Sequence, residues 1–67
     1  MSLKHLYRVS NPDSVDEIIV ALRPEQPLSD AVELAVENMG ADWQDADVEV
    51  LAENVDTNLV TDRVFIG

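Results

Sequence analysis

The side chains that could do chemistry in this chain are one histidine, a few hydroxyls and fourteen carboxylates, with no cysteine among them. A general base needs its nucleophile or proton within hydrogen-bond reach. Ser10, Ser14, Ser29, Thr57 and Thr61 would each have to be brought to His5 by folding. A lone histidine on an alternating segment reads as a surface or packing residue, so no catalytic residue is assigned and the chain is read as non-enzymatic. Asp45, Asp47 and Glu49 have the alternate spacing that opens an EF-hand loop, but the sixth position is Val50 where that loop requires glycine. We therefore assign no metal ligand. Gly40 and Gly67 are the only glycines, which leaves no phosphate-cradling loop, and no basic-aromatic patch points to nucleic acid. No cofactor is expected.

What remains is charge. The formal net charge is −10 on 67 residues, and no basic residue falls between Pro24 and Asp62, a window that holds eleven carboxylates. Lys4, Arg8 and Arg23 precede the window and Arg63 follows it. Read along the sequence, those carboxylates have only water and counterions to neutralise them. Such a field repels nucleic acid and anionic membranes and attracts basic surfaces. An acidic proteome of the halophilic kind, or simple protection from aggregation, accounts for the same composition.

The elements that must position these groups are legible from periodicity. Pro27 to Met39 carries the strongest signal, a helix with Ala31, Val32, Leu34, Ala35, Val36 and Met39 as a wide apolar stripe and Asp30, Glu33 and Glu37 on the other side. Ser29 or Asp30 is expected to cap its start, Asp30 and Glu33 have capping-box spacing, and Gly40 ends it. Before it, Leu3–Val9 and Val15–Arg23 alternate as strands around the turn Ser10–Ser14. In the second strand Ile18, Val20 and Leu22 share one face, and both faces are partly apolar, as suits a central strand. Val32, Ala35, Val36 and Met39 are expected to pack on these three residues. After the helix, Trp43 is expected to cover the end of the apolar stripe.

Val48–Val55 fits a strand, with Val48, Val50 and Ala52 inward, and also fits a helix; its β-branched residues favour the strand. Asp56–Asn58 then reads as a short hairpin loop to a last, edge strand, Leu59–Ile66. The order is β-β-α-β-β, an α+β fold in which one helix packs on a four-stranded antiparallel sheet, forming a single domain over residues 1–67. The first residues lack the apolar core of a signal peptide and no apolar run reaches the roughly 18 residues that span a bilayer. Absence of cysteine fits a reducing cytoplasm, where the protein is expected to reside.

Carboxylates three or four residues apart on a helix lie about 5 to 6 Å from one another, and alternate ones on a strand roughly 6 to 7 Å. Those are phosphate-like intervals. Asp30, Glu33, Glu37, Asp42, Asp45, Asp47, Glu49 and Glu53 are accordingly the expected partner-binding residues, presented to a Lys- and Arg-rich protein surface. In size, charge, lack of catalytic motifs and mixed β/α order the chain resembles the small acidic inhibitors made by bacteriophages, anti-CRISPR proteins included. That resemblance carries no diagnostic motif and transfers no residue. It implies stoichiometric binding, as monomer or homodimer, to a nucleic-acid-handling protein complex. The alternative is a small structural or assembly protein that self-associates through the edge strand Leu59–Ile66.

Overall fold

The computed structural model of the protein describes residues 2–58 and 64–66. Strand β1 (Ser2–Ser10) turns into β2 (Glu17–Leu22), helix α1 (Ser29–Met39) follows, a short 3-10 turn (Ala41–Trp43) leads out of it, and β3 (Asp47–Thr57) and β4 (Val64–Ile66) complete the order. All pairing is antiparallel and the spatial order is β3-β1-β2-β4, so β1 and β2 are central and the three-residue β4 sits beside β2. The α+β class, with one helix against an antiparallel sheet, agrees with the sequence reading. The expected strand Leu59–Ile66 lies outside the described residues except for Val64–Ile66. The Asp56–Asn58 hairpin does not form: β3 runs through Thr57, and β3 and β4 stand at opposite edges of the sheet. A long β1 offers β3 a partner along its whole length, and that pairing overrides the local turn signal.

The core lies between α1 and one sheet face. Tyr7 and Val9 from β1, Ile18, Val20 and Leu22 from β2, Ala31, Leu34 and Ala35 from α1, and Trp43 are buried together. The cross-strand pairs Val9–Ile18, Tyr7–Val20 and His5–Leu22 put these residues on one side, as alternation demands. Trp43 is 3% exposed and seals the end of the helix, as expected.

The helix packs close to the way expected, with a small rotation. Ala31, Leu34 and Ala35 are its buried residues, Val36 and Met39 pack against the core while partly exposed, and Val32, half-buried, is the one expected packing residue that does not join it. The apolar stripe is wider than the sheet can cover, and the small alanines allow the closest approach. Its N-terminus differs too: the chain is already helical at Leu28 (φ −57°, ψ −30°), and neither Ser29 nor Asp30 makes a capping hydrogen bond. A side-chain cap requires extended backbone at the capping residue. Here the Pro27 and Leu28 carbonyls accept from the Asp30 and Ala31 N–H groups at 3.0 Å each. Gly40 ends the helix as expected, its N–H donating to the Val36 carbonyl at 2.9 Å, with φ at +120° where L side chains are strained.

Strand β3 carries the largest departure from regular alternation. Between the pairs Lys4–Val55 and Leu6–Ala52, and again between Leu6–Ala52 and Tyr7–Val50, β3 advances one residue more than β1. These irregularities are β-bulges, and Asn54 adopts φ +54° within the first. Ala52 is therefore registered with Leu6 on the face away from the helix, not with Val48 and Val50 as a continuous alternation implies. Val50 itself is 47% exposed. Bulges and the acidic residues Asp47, Glu49, Glu53 and Asp56 are devices that discourage edge-to-edge pairing along a long edge strand.

Candidate functional site

Folding distributes the eight expected partner-binding carboxylates over two sides of the protein. Asp47 and Glu49 pair with Ser10 and Arg8 in the β1–β3 register, on the sheet face away from α1. Arg8 Nη1 stands 3.4 Å from Glu49 Oε2, and its Nε stands 3.8 Å from Glu17 Oε2, so one guanidinium spans β3, β1 and β2. Arg23 likewise lies 3.1 Å from Glu25. The window from Pro24 to Asp62 is thus compensated in part by bases outside it. Charges far apart in sequence meet across neighbouring strands, which linear spacing does not reveal.

On the helix side the acids differ among themselves. Asp30 accepts a hydrogen bond from Gln26 Nε2 at 3.0 Å, and Gln26 Oε1 in turn accepts from the Arg23 N–H at 2.8 Å, which ties the β2–α1 turn together. Asp42 accepts from Asn11 Nδ2 at 3.2 Å, while Asn11 Oδ1 accepts from the Asp13 N–H at 2.8 Å, so the buried Asn11 clips the β1–β2 turn to the 3-10 turn. Asp30 and Asp42 therefore hold the scaffold. Glu53 lies near Tyr7: burial, and secondarily the Glu53 charge, raise the Tyr7 hydroxyl above its ordinary pKa of 10.0.

Glu33, Glu37 and Asp45 remain exposed, and among the described residues they make no hydrogen bond or ion pair. Glu33 and Glu37 are one helical turn apart and border a groove of about 350 Å³ lined by Val32, Glu33, Val36, Glu37 and Gln44. This groove is the feature that periodicity alone missed. Its signal in the sequence is the excess width of the apolar stripe, which leaves Val32 and the outer side of Val36 short of full cover.

His5 has a packing role. Its Nδ1 accepts from the Asn54 N–H at 3.0 Å, and its ring meets Tyr7 edge-on at a centroid distance of 6.3 Å, so it braces the bulge. Among the described residues no serine or threonine hydroxyl reaches it. Nor is there a group of three or more His, Asp or Glu among the described residues that could hold a metal ion, Asp47 and Glu49 being on extended strand. No helix among the described residues is long and apolar enough to cross a membrane. Comparisons of this chain with protein-family models, with curated proteins and with solved structures return no match.

Proposed function

We propose that this protein is a non-enzymatic binding protein whose acidic helix side occupies a basic site on a nucleic-acid-handling protein complex, an inhibitory role of the kind filled by small acidic phage proteins. One observation carries the reading: among the described residues Glu33, Glu37 and Asp45 are exposed without a cation, although the same fold pairs Glu17, Glu25 and Glu49 with arginine. Uncompensated carboxylates one turn apart repel each other and weaken their own helix. A basic partner relieves that cost. The binding set centres on Glu33, Glu37 and Asp45, beside the groove, with Asp30 and Asp42 holding the scaffold behind them; Glu49 is paired with Arg8, and Asp47 and Glu53, exposed as well, stand apart on β3.

The test is competition and charge reversal. Glu33→Lys with Glu37→Lys leaves the fold intact, because both side chains are exposed, and it slows association sharply, since steering acts on the on-rate. Nucleic acid competes with the protein for the partner. Simultaneous binding of partner and nucleic acid, without interference, refutes the reading.

A second reading is favoured by the position of β4 at an edge beside the central β2. It takes the C-terminal edge strand, of which Val64–Ile66 is described, to pair with the same strand of another copy. Salt separates the two: screening weakens binding to a basic partner and strengthens association between two copies of so acidic a chain.

A further inference from the structure

We propose that the groove on the flank of α1 is an anchor site for one class of partner: a segment of a basic protein that seats an aliphatic or aromatic side chain on Val32 and Val36 while its lysines or arginines meet Glu33 and Glu37. The inference rests on the acidic-side reading above and adds to it a site and a chemistry of recognition. Val32 and Val36 are one turn apart, so their side chains stack along the helix, and the core has already claimed Ala31, Leu34 and Ala35. Val36 packs against the core on its inner side, and the apolar surface that the two valines turn to the groove stays half-buried, with no element among the described residues closing over it. The volume of about 350 Å³ lies at the lower end of the roughly 300 to 1,000 Å³ typical of binding pockets, enough to seat a side chain and too small for a second core.

Charge selects the occupant. Glu33 and Glu37 form the rim, and Gln44 adds a neutral hydrogen-bonding group. Anionic ligands, nucleic acid included, are repelled at such a rim, while a purely apolar segment would bury two carboxylates without partners. A segment with cationic residues flanking one apolar anchor satisfies floor and rim together. In this division the anchor supplies residence time and the charges supply encounter rate and orientation.

The experiment selects short random displayed peptides at low salt on the intact chain. Enriched sequences are expected to combine Lys or Arg with one recurring aliphatic or aromatic position. The tightest of them, synthesised, shifts the methyl NMR signals of Val32 and Val36, and it loses about tenfold in affinity when its anchor is replaced by serine. With Val32→Thr and Val36→Thr together, anchored and anchorless peptides bind alike; methyl mapping on the unmodified chain decides the matter even if that variant folds poorly. Basic peptides enriched without an apolar preference, or bound without moving either valine, overturn the groove and leave the acidic side standing. Selection without basic residues, or binding unaffected by Glu33→Gln with Glu37→Gln, overturns both.

Discussion

Replacing Gly40 by alanine tests the junction that carries the helix into the core-sealing turn. At φ +120° and ψ 169° the backbone occupies a region essentially reserved for glycine, and holding an L residue there costs about 1 to 3 kcal/mol. A second cost is steric. The added Cβ would stand 3.0 Å from Asp42 Oδ1, and the carboxylate cannot turn aside without giving up its bond from the buried Asn11 Nδ2, worth about 1 kcal/mol at a partly exposed site. The sum, about 2 to 4 kcal/mol, corresponds to a fall in melting temperature of roughly 10 to 30 °C for a domain of this size. Thermal unfolding followed by far-UV circular dichroism measures it. Asp42→Ala dissects the two contributions, since it removes the obstruction and the hydrogen bond at once. The double variant is therefore expected to melt with Gly40→Ala alone. If Gly40→Ala melts within about 2 °C of the parent, the backbone at residue 40 is not as described and the reasoning fails. Strict additivity in the cycle would instead clear Asp42 of any part in it.

Leu22→Ala empties a fully buried position beneath α1, and the expected loss of about 2 to 5 kcal/mol is a large share of the roughly 3 to 10 kcal/mol available to so short a domain. Val15→Ala, at a residue 99% exposed, should change stability by less than about 0.5 kcal/mol in the same denaturant titration. Tyr7 is the only tyrosine, so absorbance near the phenolate band reports it alone, with a midpoint expected above 10.0. Because the folded state holds this proton more tightly than the unfolded chain, its contribution to stability is complete below pH 10 and is lost as pH rises through the raised midpoint. Glu53→Gln should lower that midpoint only in part, since burial is the larger cause. Melting temperature should climb with NaCl as the Debye length falls from about 10 Å at 0.1 M to about 3 Å at 1 M; a flat or falling trend would mean that arginine pairing already balances the field.

The sequence by itself determined what depends on neighbours along the chain. The alternation of Ile18, Val20 and Leu22, the helical spacing from Ala31 to Met39, the stop at Gly40 and the return of Trp43 onto the helix end are short-range signals. Each survives folding because the core needs the same faces that the pattern offers. The β-branched residues of Val48–Val55 carried enough preference to choose strand over helix. Net charge is likewise a sum over residues and needs no fold. Tertiary structure decided everything set by competition between distant segments. β3 chose β1 over a hairpin with the strand that follows it, and bulges then moved Ala52 to the opposite face. Arg8 found Glu49, 41 residues away, because the register set them side by side. Helix rotation divided a single apolar stripe into a buried part, Ala31, Leu34 and Ala35, and a half-covered part, Val32 and Val36, that lines the groove. Periodicity reports that a face is apolar, but how much of it is buried is set by the area of the surface it meets, which exists only once the strands have paired.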